Sequence, residues 1–127
     1  WGLVRATGVA ARYATDLGLD AIRERSWGLA DQLRSLLAGI EGVRPLDRGG
    51  TLCAIVTASV DGWRPPDLVR ELRARGINTT GQGSVDAVID YDSKGVDGSL
   101  RMSPHYFNTA EELATLITAL QELVGEG

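Results

Sequence analysis

The chain has 127 residues, 43% hydrophobic and 24% charged, which suits one globular domain with a core of its own. Its net charge of −4 argues against nucleic-acid binding, which needs a basic surface. No apolar run is long enough to cross a bilayer and no signal-peptide pattern opens the sequence. A single cysteine rules out an internal disulfide and fits a reducing compartment, so a cytoplasmic location is expected.

In chain order, Leu3 to Leu17 reads as a helix with Val4, Ala11 and Ala14 among its small and apolar positions, and Gly18 suits its C-terminal cap. A longer helix runs from about Leu19 to Gly39, with an apolar stripe of Ile22, Leu29, Leu33, Leu36, Leu37 and Ile40. Val43 to Leu46 has the form of an edge strand, because Pro45 is tolerated at an edge and not in a sheet centre. Thr51 to Val60 reads as the strongest strand, rich in β-branched and small residues, with Cys53 expected to be buried inside it. Pro65-Pro66 start a helix over Asp67 to Arg75, closed by Gly76. Ile77 to Thr80 is a short strand. Gly81 to Gly98 is loop-like, broken by the apolar run Val85 to Ile89, with Lys94 expected to stand exposed in a Gly/Asp-rich loop.

The last segment, Ser99 to Leu113, puts one arginine, Arg101, in a short strand between Leu100 and Met102. A turn with His105, Tyr106 and Phe107 follows. Thr109 and Glu112 then form the pattern of a capping box at a helix start, and Leu113, Leu116, Ile117, Leu120, Leu123 and Val124 recur on one helical face. Read from residues alone, Arg101 is a surface strand residue paired with a carboxylate. The element order predicts an α+β two-layer sandwich, a small mostly antiparallel sheet with helices on one face, preceded by a linker helix.

The stretch LRMSPHYFNTAEELATLITAL resembles the C-terminal signature of class V aminotransferase-like enzymes. These are pyridoxal-phosphate (PLP) enzymes of fold type I, and they include cysteine desulfurases, isopenicillin-N-epimerase-like proteins and C–S lyases. Gly18 to Ile22, Gly42-Val43, Arg75 to Ile77 and Asp90-Tyr91 to Gly95 resemble further landmarks of the family, so the likeness covers nearly the whole chain. It implies that residues 1–18 lead in from a large PLP domain and that 19–127 form the C-terminal small domain. It implies that Arg101 grips the α-carboxylate of an amino-acid substrate, for which a planar guanidinium is well shaped. Phe107 stands where Tyr is common in the family. Thr80 and Gly81 resemble a position where a loop faces the active site. His105, the one histidine, is either a donor or proton carrier near the substrate, or a packing residue of the turn. The implied substrate-binding set is Arg101, His105, Thr80 and Gly81. A homodimer is implied as well.

A PLP enzyme needs a lysine for the cofactor aldehyde, an acid for the pyridinium and donors for the phosphate. Lys94 is the one lysine, and no phosphate-cradling loop precedes a helix; Gly81-Gln82-Gly83 is too short. PLP is therefore expected to be bound mainly by a large domain in the same or another chain, and no catalytic, cofactor-binding or metal residue is assigned here. The sequence opens on Trp1 with no initiator Met, which reads as a fragment, a processed product or a chain whose beginning is not shown. The region Thr79 to Ile89, where desulfurases carry a sulfur-accepting cysteine, holds Ser84 and no cysteine. Persulfide formation is accordingly disfavoured against C–S lyase, epimerase or aminotransferase chemistry. The competing expectation is a non-catalytic domain of the same fold, serving as an association module or partner subunit.

Overall fold

The structure, a computed structural model, describes residues 1–125. Two helices come first, α1 (Gly2–Leu17) and α2 (Leu19–Ala38). They are followed by β1 (Val43–Pro45), β2 (Val56–Val60), α3 (Pro65–Ala74) and β3 (Thr80–Gly83). A single 3₁₀ turn (Ser84–Asp86), α4 (Val88–Lys94), β4 (Gly98–Met102) and α5 (Ala110–Gly125) complete the order. The four strands pair antiparallel in the order β1-β2-β4-β3. The architecture is the expected α+β sandwich. Among the described residues no helix is long and apolar enough to cross a membrane.

One hydrophobic cluster sits between the sheet and α2, α3 and α5. It joins Leu29, Leu33 and Leu37 of α2, Leu68 and Leu72 of α3, and Leu113, Leu116, Leu120 and Leu123 of α5 to Val56, Ala58, Val60, Leu100 and Met102 of the strands. Side chains alternate across a strand. Burying Leu100 and Met102 on the helical side therefore sends Ser99 and Arg101 to the other side. The same alternation in β2 buries Val56, Ala58 and Val60 and turns Thr57 and Ser59 outward.

Three expectations are corrected. The apolar run from Thr51 to Ile55 is irregular, and β2 begins only at Val56; Cys53 is exposed, not in the core. The guanidinium of Arg34 explains why. Its Nη2 donates to the carbonyls of Cys53 (2.6 Å) and Ile55 (2.9 Å), groups that a regular ladder would pair with a neighbouring strand. Second, Asp90 to Lys94 is helical. An Asp90–Lys94 ion pair of 2.6 Å at i,i+4 spans the last turn of α4, and Gly95 at φ 64 closes it. Third, the Lys94 side chain is only 9% exposed and is the partner of Asp90, not a free loop amine.

The helix α4 lies on the face of the sheet opposite to α2, α3 and α5. Tyr91, buried, shares a 2.8 Å hydrogen bond with the hydroxyl of Ser99 on that face. Arg44 and Arg48 donate to the carbonyls of Lys94 (3.5 Å) and Ser93 (3.4 Å) at the C-terminal end of α4, where cations are favoured.

On the helical side, β3 and β4 pack closely against the start of α3. A Cβ on Gly98 would overlap the carbonyl oxygen of Gln82 and lie 3.1 Å from Pro65 Cγ, whereas one on Gly83 would meet nothing within 4 Å. Gly98→Ala is thus expected to destabilise the fold by about 1–3 kcal/mol, the usual range for overpacking. Gly83→Ala, in extended backbone at φ −101, serves as the tolerated control. Urea denaturation of the two variants checks the contrast.

Candidate functional site

The candidate site lies on the sheet face that the core leaves free. Register places three residues side by side across the strands: Thr57 on β2 opposes Arg101 on β4, and Thr80 on β3 opposes Arg101 from the other side. Directly opposed residues in antiparallel strands share a face. In the next row Ser99 is covered by Tyr91 of α4, so α4 roofs one end of the face.

Arg101 is half-buried, and its Nε is shielded from solvent without a hydrogen-bond partner. No ion pair among the described residues includes it. The expectation of a carboxylate partner within the chain is therefore overturned. A half-buried cation with no partner is costly, and such groups concentrate where an external charge completes them. The guanidinium fork offers parallel donors that suit a carboxylate.

Of the other sequence-predicted residues, the structure brings Thr80 beside Arg101 and separates the remaining two. Gly81 directs its Cα hydrogens to the helical side, where an added Cβ would come 3.0 Å from the backbone of Pro65. The reason for a glycine there is close packing of α3 on β3. His105 lies in the turn beyond β4, exposed. Its backbone N–H donates to Asn108 Oδ1 at 2.8 Å, and its ring stacks on Phe107 at 5.1 Å and meets Tyr106 edge-on at 4.7 Å. Its geometry is that of a turn residue.

Residues that sequence reading missed are Thr57 and the pair behind it. Asp47 Oδ1 accepts from the backbone N–H of Thr57 (3.0 Å) and from its hydroxyl (2.6 Å), while Asp47 Oδ2 accepts from Arg34 Nε (2.8 Å). Both charged side chains are 12% exposed. The only sequence signal was the alternation of small polar residues in Val56 to Val60; the contact itself spans loops.

The strand is anchored at its C-terminal end by the capping box, which is present as expected. The backbone N–H of Thr109 donates to Glu112 Oε2 at 2.9 Å, and the N–H of Glu112 donates back to Thr109 Oγ1 at 3.2 Å. Asn108 Nδ2 adds a further bond to the same carboxylate at 3.0 Å. The Tyr106 phenol is pushed above its usual range, by desolvation first and then by the neighbouring Tyr13 of α1.

A groove of about 320 Å³ lies between α5 and the 75–79 turn, on the helical side. None of the four predicted site residues lines it. On the face carrying Arg101, Thr80 is exposed and Thr57 and Arg101 are half-buried. Lys94 is shielded and paired with Asp90. The described residues hold no cluster of three or more groups able to bind a metal ion.

The chain matches a known family over most of its length. The family described as aminotransferase class-V matches residues 3–116. The chain belongs to the class-V aminotransferase family. A probable cysteine desulfurase of Xylella fastidiosa (strain Temecula1) is 30% identical over 112 residues, covering 87% of this chain and 26% of the relative. The apo cysteine desulfurase of Thermococcus onnurineus NA1 superposes with a TM-score of 0.83 at 25% identity, over 91% of this chain and 29% of that one. A cysteine desulfurase of Escherichia coli shares the fold, with a TM-score of 0.78 at 23% identity over 91% of this chain and 28% of that one. This class-V chain thus spans between 18% and 31% of the length of the curated relatives it matches. In this chain the segment from Thr79 to Ile89 holds Ser84 and no cysteine.

The carboxyl of Glu112 is held below the ordinary carboxylate range, by Asn108 first and then by the backbone N–H of Thr109. A depressed folded-state value means that the cap contributes fully above the unfolded value of about 4.3 and loses its contribution as pH falls through the lower folded value. Glu112→Gln is expected to remove that part of the acid sensitivity, and Asn108→Ala to bring the Glu112 titration back toward its ordinary range. Carboxyl-detected NMR titration together with melts between pH 2 and 6 checks both.

Proposed function

We propose that this chain is the substrate-carboxylate-binding small domain of a PLP-dependent class V enzyme acting on an amino acid, by C–S lyase, epimerase or aminotransferase chemistry. The observation that carries the reading is Arg101: a half-buried guanidinium with no partner among the described residues, on a sheet face left open beside α4. Its part is to bind the α-carboxylate and fix the substrate's orientation, with the Thr80 hydroxyl beside it. His105 belongs to the proposed set through the turn that follows β4, and Gly81 through its pairing with Leu100 across β3 and β4.

In this reading the domain is incomplete without a large domain that holds PLP, in the same or another chain. Residues 1–18 lead in from it and 19–127 form the small domain. Support comes from the share of its relatives that the chain spans and from α1. None of the residues of α1 is buried, and Leu3, Val4, Val9, Tyr13 and Leu17 stand exposed on it. A helix with an uncovered apolar stripe marks a contact surface. A homodimer in the cytoplasm is part of the same reading. The same bare helix supports a second one, in which the domain is a non-catalytic association module or a partner subunit of a separate PLP-binding chain.

In the enzyme joined to its cofactor domain, Arg101→Gln is expected to lower kcat/KM for the amino-acid substrate by about two orders of magnitude or more, as loss of one partner of a desolvated charge pair does. Unchanged kcat/KM would remove Arg101 from the site and favour the association module. The 127-residue chain alone, mixed with PLP, is expected to show no absorbance band from a lysine-linked cofactor. A band that disappears in Lys94→Ala would overturn the assignment of PLP to another domain.

A further inference from the structure

We propose that Arg34 acts as a guard for Arg101: it holds Asp47 away from the substrate-binding cation, so that the guanidinium on the open face stays unpaired. This rests on the reading of Arg101 as a carboxylate-binding residue. Asp47 follows β1, and both of its oxygens are engaged, one by the N–H and hydroxyl of Thr57 and the other by Arg34 Nε. Thr57 is the residue directly opposite Arg101. Their Cβ atoms are therefore about 5 Å apart, as in any opposed antiparallel pair. The carboxylate of Asp47 is thus hydrogen-bonded to the residue that stands opposite Arg101 across the sheet.

An unpaired cation and a carboxylate bonded to its cross-strand neighbour should find each other, particularly where solvent is partly excluded. What prevents it is a stronger claim on Asp47. The Arg34 side chain is 12% exposed and fixed at several points: to Asp47, to Asp31 at 2.9 Å, and to the carbonyls of Cys53 and Ile55. It is anchored on α2 and on the segment entering β2, so it cannot follow Asp47 away. Asp47 in turn is spent on Arg34 and Thr57. Arg34 and Asp47 are positioning residues: neither touches the substrate in this arrangement, and each determines whether Arg101 is available to it.

The guard makes a prediction that a purely structural network does not. Without Arg34, Asp47 is a shielded carboxylate lacking its cation, and it pairs with Arg101. Without both, Arg101 is released again. The test uses the ¹⁵N-labelled 127-residue chain, NMR of the Arg101 Nε–H group, and sodium acetate as the carboxylate probe. In Arg34→Met the Arg101 signal is expected to move before any acetate is added, and acetate affinity to fall by about tenfold or more, the low end of what close charge pairs exchange. In Arg34→Met with Asp47→Asn, both are expected to return to near the parent values. Both variants lose the same anchors at Cys53 and Ile55, so damage to that segment would affect them alike. An unmoved Arg101 signal in Arg34→Met, or a double variant that fails to restore it, overturns the guard. Arg34→Gln, with the same expectations, replaces Arg34→Met should the latter not fold. If Arg101 of the parent chain does not respond to acetate, the carboxylate-binding reading fails, while the comparison of Arg101 signals without acetate still decides the guard.

Discussion

Everything at this site follows from the position of β4 between two antiparallel neighbours. Pairing with β2 and β3 fixes its register on both sides. Leu100 and Met102 are then locked into the cluster under α2, α3 and α5. A slip of one residue would send Arg101 into that cluster and two large apolar side chains out of it. Burying an unpaired guanidinium among leucines costs several kcal/mol at least, and exposing two core side chains adds about 1.5–3 kcal/mol each. The orientation of one cation is therefore enforced by hydrophobic burial on the opposite face, with no hydrogen bond from the Arg101 side chain to the described residues.

The two faces of the sheet have different tasks. The helical face is closed, and its glycines exist to let β3, β4 and α3 approach. The other face is polar and only partly covered, by α4 over Ser99. Most of its polar groups are satisfied: Ser99 by Tyr91, Thr57 by Asp47, and the α4 carbonyls by Arg44 and Arg48. Arg101 differs in that its Nε is shielded from solvent without a partner among the described residues. A fold that satisfies the neighbours of a group and leaves that group unmatched has given up stability at one point, which is where function is usually found.

Much of this was legible in the sequence. The helices announced themselves by apolar spacing, and the Thr109–Glu112 box is formed as the pattern required. Arg101 stood out because it interrupts an apolar strand. The failures share one physical cause: a side chain distant in sequence decided a local conformation. Thr51 to Ile55 has every local feature of a strand, yet Arg34, some 20 positions earlier, holds its carbonyls and leaves Cys53 exposed. Asp90 to Lys94 looked like a loop because its helix is only two turns long, too short for periodicity to register. The shielding of Lys94 depends on α4 crossing the sheet, which depends on Tyr91 reaching Ser99. Gly81 has a glycine's signature, but the steric demand behind it comes from Pro65 on the other face. Thr57 could not be found without register.

The helix α1 shows how an unfinished surface bears on the site. A 16-residue helix that buries nothing is marginal in water, because helical stability comes mainly from packing an apolar face. Yet α1 is not detached from the rest. Tyr13 on α1 meets Tyr106, and Arg25 at the start of α2 donates to the carbonyl of Asn108 at 3.1 Å. Asn108 holds both the N–H of His105 and the carboxylate of Glu112. The turn that leaves the Arg101 strand is thus braced from one side by the α5 cap and from the other by Arg25 of α2. The bare stripe of α1 thus adjoins, through Gly18, the helix that braces the turn after the Arg101 strand.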